Sequence, residues 1–305
     1  MKVNTKRNSF LLFLTASIWG LAFVFQSKGM EYMDPFTFNG VRSLIGAASL
    51  LVFVLVRWRI TGKSLKELDW KLTLTAGLCC GLALTVASSL QQFGIAQTTV
   101  GKAGFITTLY IIFVPIAGLL FRRKVSKVVW VAAAMAAVGM YLLCMTESLS
   151  INTGDILVFL CALAFTVHIM VIDYFSPKTD GVVISLIQFT VCGVLCMIGA
   201  FLWGNPAWSQ ITSGVSTLLY AGVMSCGVAY TLQIVGQNGV NPTVAALLMS
   251  LESVVATIAG VIAYQVGFLK VDQTMTGRQI AGCVIVFAAV ILVQLPGEWF
   301  EKKKA

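Results

Sequence analysis

The sequence contains ten apolar runs, each long enough to cross a lipid bilayer. A membrane-spanning helix needs about 20 mostly apolar residues, within a range of roughly 17–25. Because lipid offers no hydrogen-bonding partner, backbone groups in such runs must bond within the chain, which favours helices. The connections are short and carry turn dipeptides such as Asp34-Pro35 and Asn241-Pro242. The predicted spans are Phe10–Gln26, Pro35–Val56, Leu72–Leu90, Ala103–Phe121, Val128–Met145, Ile156–Phe175, Val182–Trp203, Thr217–Val235, Val244–Val266 and Gly277–Leu295.

The composition supports lipid as the solvent of this chain. Of its 305 residues, 58% are hydrophobic and only 11% are charged, whereas soluble domains carry about 25% charged residues. The net charge of +9 would suggest nucleic acid in a soluble protein, but the basic residues form short clusters beside the apolar runs. This pattern is typical of a topology signal, not of a basic face. We therefore predict an all-α integral membrane protein with the lipid bilayer, and no nucleic acid, as its partner.

The distribution of Lys and Arg predicts the orientation. With the N-terminus placed inside, the inner segments hold sixteen Lys and Arg residues and the outer segments hold four, while Arg42 lies within a span. Basic residues are enriched in cytoplasmic segments. An even number of spans also returns the C-terminus to the side of the N-terminus. Both arguments predict a multi-pass protein of the plasma membrane with both termini in the cytoplasm.

The two halves of the sequence resemble each other. Leu90-Gln91 matches Leu232-Gln233 at an offset of 142 residues, and the same offset pairs Tyr110 with Glu252. Each half contains five predicted spans, so the second copy enters the membrane from the opposite side. We predict two inverted five-helix repeats, residues 1–148 and 149–305. Inverted repeats are common in secondary transporters, where they create two packings around a site at the midplane.

Several segments resemble the drug/metabolite transporter superfamily, specifically its EamA-type ten-helix members. The segment from Lys102 to Pro115 is similar to the fourth helix of that family, and the segment from Pro242 to Glu252 is similar to its ninth. Trp19-Gly20 and Arg42 also lie where the family tends to place such residues. The resemblance implies secondary transport of amino acids, related metabolites or drugs, commonly as export, through a central cavity.

Two ionisable residues within the spans are candidates for this site, because charge inside a membrane is costly and marks function. Glu252 lies about eight residues, or about 12 Å, into the ninth span. It could bind a cationic group, accept a coupling proton or pair structurally with Arg42. Arg42 lies about 10 Å into the second span. For Arg42 we expect a structural or gating role, with its side chain extending towards the membrane surface.

Uncharged polar and aromatic residues complete the candidate set. His168 is the one histidine of the chain; it could respond to protons or could be a neutral, hydrogen-bonded core residue. Amides within the spans, including Gln26 and Gln91, either join helices or line a wet cavity. The predicted substrate-binding residues are Trp19, Asn39, Tyr110, His168, Tyr230, Gln233 and Glu252.

The sequence carries no motif of an enzyme or of an ATP-driven pump. It contains no P-loop, no HExxH, no GxSxG and no dinucleotide fingerprint. None of the eight cysteines forms a CxxC pair, so we expect packing residues, with no metal and no cofactor. A small-molecule transporter driven by gradients is the favoured function. A membrane-embedded enzyme or a channel is the alternative, and the sequence leaves open whether the protein is a monomer or a homodimer.

Overall fold

Helices account for all the regular secondary structure in the described part of the chain. A computed structural model describes residues 5–61, 68–98, 100–120, 126–144, 152–269 and 276–294. We number the spans α1 to α10, with two of them divided into halves a and b. They are α1 Thr5–Gly29, α2 Pro35–Thr61, α3 Trp70–Ile95, α4a Val100–Thr107, α4b Tyr110–Leu120, α5 Lys127–Cys144, α6 Thr153–Phe175, α7 Gly181–Trp203, α8 Val215–Gln237, α9a Pro242–Met249, α9b Leu251–Gln265 and α10 Gly277–Gln294.

Each predicted span corresponds to one of these helices. Eight helices, α1 to α4 and α6 to α9, are long and apolar enough to cross a membrane, and α5 and α10 contain the shorter apolar stretches Lys127–Gly139 and Ile280–Leu292. The predicted ends at Phe121, Met145 and Leu295 lie outside the described residues. So do the predicted boundary between residues 148 and 149 and nine of the sixteen basic residues counted in the inner segments.

Two spans that the sequence predicts as continuous are broken near their middle. The fourth is interrupted at Thr108 and Leu109, and the ninth at Ser250. In both, a hydroxyl bonds back to a carbonyl of the preceding turn: Thr108 Oγ1 to Gly104 O at 3.0 Å, and Ser250 Oγ to Leu247 O at 2.8 Å. Such bonds compete with the regular helix and bend it. Thr108 and Ser250 are separated by the repeat offset, so the break itself is repeated.

The eighth span differs from a regular helix in another way. Its central part, Tyr220–Ala229, is π-helical, and a short helix, Trp208–Ser213, precedes it. A π segment inserts additional backbone into a helix and is frequent at functional sites. The matching span in the first half, α3, is α-helical over its whole length.

The packing of the helices has the two-fold pattern of a repeat. Three helices pack against their own counterparts: α2 against α7, α4 against α9 and α5 against α10. Two further contacts form an equivalent pair, α3 with α6 and α8 with α1. Single residues follow the same rule, because Gly77 of α3 packs on Ile187 of α7 while Gly222 of α8 packs on Ile45 of α2. Glycine permits this close approach of helices in lipid.

The exterior of this bundle is apolar. Large hydrophobic side chains such as Val52, Phe53, Leu82 and Ile198 are about half exposed. Most polar residues of the spans, by contrast, are buried between helices. This inside-out distribution is expected when lipid surrounds the protein. The chain is therefore an all-α integral membrane protein built as two inverted five-helix repeats.

Candidate functional site

A narrow cavity lies at the centre of the bundle, between the two halves. Its volume is only about 20 Å³. One or two waters fit such a space. The lining comes from α1, α2, α3, α4, α6, α8 and α9, and consists of Trp19, Phe23, Gln26, Arg42, Gln91, Thr107, Tyr110, Phe165, Ile169, Ser225, Tyr230, Gln233, Met249 and Glu252.

A buried carboxyl group is the most unusual feature of this lining. Glu252 is 4% exposed and lies at the start of α9b, just after the break at Ser250. Its Oε1 accepts a hydrogen bond from the hydroxyl of Tyr110 at 2.9 Å. Tyr110 occupies the equivalent place, directly after the break in α4. The two helix breaks therefore position the two partners of this bond.

The bond between Tyr110 and Glu252 lies at the pseudo-two-fold axis of the molecule. The two residues are equivalent in the repeat, and residues related by a two-fold rotation can touch only where the axis passes between them. At this bond the two halves contribute equivalent positions but different chemical groups. One half contributes a phenol and the other a carboxyl group.

The second charged group of the cavity is Arg42. It is 4% exposed and lines the cavity from α2, with its guanidinium carbon 5.4 Å from the centroid of the Phe38 ring. The expectation that it extends to the membrane surface is therefore incorrect, because the packing of α2 directs it inward. The two ion pairs found in the described part of the chain join Lys28 to Glu31 and Arg57 to Asp180. Neither involves Arg42 or Glu252.

Aromatic rings form one wall of the cavity. The rings of Trp19 and Tyr230 meet edge to face, with centroids 4.6 Å apart. Phe189 packs on Tyr230 at 5.1 Å, and His168 lies 6.0 Å from the same ring. The indole Nε1 of Trp19 has no acceptor among the described residues. Aromatic rings are rigid and offer a large apolar surface for contact.

Two glutamines occupy equivalent places in the halves but have different surroundings. Gln91 of α3 donates to Thr107 Oγ1 at 3.3 Å. The equivalent of Thr107 in the second half is Met249, which offers Gln233 no such hydroxyl. Separately, the side-chain oxygen of Gln233 has no donor among the described residues, and neither has that of Gln26. Both glutamines line the cavity, so a bound molecule can reach them after small movements.

The structure brings together six of the eight residues singled out from the sequence. Those that line the cavity are Trp19, Arg42, Tyr110, Tyr230, Gln233 and Glu252. Asn39 instead joins two helices, because its Nδ2 donates to the carbonyl of Ser88 at 2.9 Å. His168 is fully buried behind Tyr230, and its Nε2 lies 3.1 Å from Gln188 Oε1. Neither Asn39 nor His168 reaches the cavity surface in this conformation.

Other lining residues are absent from the predicted set. Gln26 and Gln91 are visible in the sequence as amides within apolar spans. That pattern does not distinguish an amide that joins two helices from one that lines a cavity. Ser225 carries no such signal, since serine is common at helix contacts in membranes. It lies within the π segment of α8 and lines the cavity.

The family model of the EamA-like transporter family matches this chain twice, over residues 7–145 and 152–295. An uncharacterized transporter of Archaeoglobus fulgidus is 29% identical over 93% of this chain and 84% of its own. The uncharacterized transporter YwfM of Bacillus subtilis is 26% identical over 84% of this chain and 86% of its own. The uncharacterized inner membrane transporter YedA of Escherichia coli K12 is 26% identical over 92% and 89%, respectively.

A protein of known crystal structure shares the fold. It superposes with a TM-score of 0.75, covers 96% of this chain and 99% of its own, and is 16% identical in sequence. At this identity the likeness concerns the fold alone. It extends over both halves and thus over every helix that lines the cavity.

Proposed function

The chain belongs to the EamA-like transporter family, and we propose that it is a secondary transporter that exports small metabolites, such as amino acids or drug-like compounds, by alternating access. The observation that carries this proposal is the central cavity, which is lined by both inverted repeats and contains a buried carboxyl group. Binding sites of transporters with inverted repeats lie at the repeat interface near the midplane, next to interrupted helices. Export is the direction that the family resemblance favours.

The narrow cavity implies that the helices move during transport. A site for a small metabolite typically has about 300–1,000 Å³, whereas the cavity in this conformation has only about 20 Å³. Movement of α4 and α9 at their breaks would widen it. Because these breaks lie next to Tyr110 and Glu252, such movement directly changes the geometry of the bond between them.

Glu252 is the residue on which this proposal is tested. We propose that its carboxyl group binds a substrate group or the coupling proton. Glu252→Gln keeps the size of the side chain and removes its charge. We expect the variant to insert at normal abundance and to lose or uncouple transport, measured as efflux of labelled metabolites from proteoliposomes normalised to protein level.

Glu31→Gln is a matched control, because Glu31 is an acidic residue that lies outside the cavity and pairs with Lys28. It should retain full transport. If Glu252→Gln transported normally with unchanged pH dependence, Glu252 would not belong to the site. A purely structural role for Glu252 predicts lost abundance that neutralisation of Arg42 restores; the lack of an ion pair between the two residues argues against it.

The proposed orientation places both termini in the cytoplasm. Support comes from the excess of basic residues in the predicted inner segments. Reporter fusions at Gly62 and at the C-terminus should read as cytoplasmic, and fusions at Ser150 and Asn205 as external. An external C-terminus would overturn this topology while leaving the cavity and its residues unaffected.

A further inference from the structure

We propose that the transported solute carries a carboxylate group, and that this group pairs with the guanidinium of Arg42. The inference rests on the proposed transport function and adds the chemical class of the substrate. It starts from one observation: a cation buried in the cavity wall has no ion pair within the described part of the chain.

An unpaired arginine in this position is energetically unusual. Burial of a charge in the membrane interior is costly unless it is paired or hydrated. Arg42 is 4% exposed, its Nε has no acceptor among the described residues, and its guanidinium carbon lies 5.4 Å from the centroid of the Phe38 ring. The Arg57 side chain on the same helix does have a partner, since its Nη2 lies 2.6 Å from Asp180 Oδ2. The guanidinium of Arg42 is therefore available to a ligand.

The shape of the guanidinium selects the type of anion. Its planar fork of N–H donors matches the two oxygens of a carboxylate and forms two parallel hydrogen bonds with them. A solute that is only cationic meets repulsion at Arg42, and an uncharged solute leaves the cation without a counter-ion. Arg42 therefore favours acids over the corresponding amides and amines.

The remaining cavity groups are consistent with a solute that extends from Arg42 towards the axis. Tyr230 lines the same cavity as Arg42 and Glu252. The unpaired oxygens of Gln26 and Gln233 can accept from N–H or O–H groups of the solute. Because Arg42 and Glu252 both line this cavity, a small acid with a donor group, such as an amino or hydroxy acid, offers a chemical partner to each.

The test uses the full chain in proteoliposomes loaded with a defined mixture. The mixture contains protein amino acids and common hydroxy and keto acids, the carboxamide of each, and the corresponding decarboxylated amines and alcohols. Mass spectrometry compares the release of each solute with its release from protein-free liposomes. We expect release of acids, and release of the matched carboxamides that is slower by about tenfold or more, the size of a lost charge-assisted hydrogen bond.

Variants of the two arginines of α2 assign the discrimination to one residue. Arg42→Gln should reduce acid release by about tenfold or more and bring the ratio of acid to amide release close to one. Arg42→Lys keeps the charge without the fork and should give an intermediate ratio. Arg57→Gln removes an arginine outside the cavity and should leave the ratio unchanged, which separates recognition from general destabilisation.

The possible outcomes separate this inference from the proposed function. Release of amides, amines or phosphorylated solutes in preference to carboxylates would overturn the inference and leave transport intact. An unchanged ratio in Arg42→Gln would do the same. Release of no solute at all would overturn the transport function itself. If Arg42→Gln does not accumulate, the ratio in the unmodified protein and in Arg42→Lys still decides.

Discussion

The first and second halves of this protein share their helix order and packing but differ where they face the cavity. In the first half α3 is regular, and its Gln91 is hydrogen-bonded to Thr107. In the second half α8 contains a π segment, and the oxygen of Gln233 has no donor among the described residues. At the axis the first half contributes the Tyr110 hydroxyl and the second half contributes the Glu252 carboxyl group.

The difference shows that the two halves keep equivalent contacts between helices but place different chemical groups at the cavity. Equivalent glycines, Gly77 and Gly222, allow equivalent helix contacts, as expected for two copies of one repeat. A small metabolite has no two-fold symmetry, so the groups that contact it gain nothing from being identical. We therefore expect exchange of groups across the axis to be tolerated better than loss of either group.

The largest effect should come from breaking the bond at the axis. Tyr110→Glu places two carboxyl groups together, and Glu252→Tyr removes the carboxyl group. Each single variant should lose transport by about a hundredfold or more. In Tyr110→Glu two carboxyl groups crowd a buried site at a cost of several kcal/mol, and Glu252→Tyr lacks the group that is proposed to bind the solute. The double variant that exchanges the two residues restores the pair across the axis, so we expect it to recover at least about tenfold over either single variant.

Efflux from proteoliposomes measures this recovery, and thermal unfolding tests whether all three variants are folded. A non-additive result in this direction is the signature of two residues in direct contact. A folded double variant no more active than the single variants would show that the carboxyl group must lie in the second half. In that case the two sides of the axis are not interchangeable.

A smaller effect is expected in the rate at which introduced cysteines react, which should be higher for residues that line the cavity than for residues buried behind them. In a cysteine-free background, single cysteines at Trp19, Tyr110, Tyr230 and Gln233 should react with water-soluble thiol reagents. Cysteines at Asn39 and His168 should react at least about tenfold more slowly, because both positions are buried away from the cavity surface. Labelling rates measured by mass spectrometry check this prediction, with lipid-facing Val52 as the unreactive control. Equal rates at all positions would contradict the assigned lining.

Replacement of either of the two equivalent glycines by alanine should lower the stability of the protein by a similar amount. A Cβ at Gly77 would stand 2.5 Å from Ile187 Cβ, and one at Gly222 would stand 2.7 Å from Ile45 Cβ. Gly77→Ala and Gly222→Ala should each destabilise the protein by about 1–3 kcal/mol, the usual cost of overpacking. Thermal unfolding in detergent measures the change. Ile187→Gly removes the crowded Cβ. In that background Gly77→Ala should cost less than in the unmodified protein, whereas the cost of Gly222→Ala should not change; relief of both would contradict the specific pairing.

The smallest effects should come from two equivalent contacts at opposite faces of the molecule. Asn8 Nδ2 in α1 donates to the carbonyl of Asn238 at 2.8 Å, and Asn152 Nδ2 before α6 donates to the carbonyl of Gln97 at 3.3 Å. Asn8 is buried, so Asn8→Ala should cost about 1 kcal/mol. Asn152 is exposed, and Asn152→Asp, which keeps the helix cap, should cost less than about 0.5 kcal/mol. A larger loss for Asn152→Asp in the same unfolding measurement would reverse this order.

Much of the site could be predicted because its charged and polar residues are rare within membrane-spanning segments. Glu252 is visible in the sequence as a carboxyl group within an apolar run, and Gln233 as an amide at a repeated position. Arg42 is equally visible, but its long side chain leaves its direction undetermined. Asn39 and His168 carry the same kind of signal as the lining residues and were predicted with them. Their partners, Ser88 and Gln188, are known only once the helices are packed.

By itself, the sequence determined the number of spans, their apolar character and the inverted repeat. These properties follow from the local run of residues, since each helix satisfies its backbone within its own segment. The tertiary structure alone decided the inward direction of Arg42, the π segment that presents Ser225, and the contact between Tyr110 and Glu252. These features depend on how helices distant in the sequence rotate and approach one another, and hydrophobicity does not specify that rotation because lipid is as apolar as the helix surfaces.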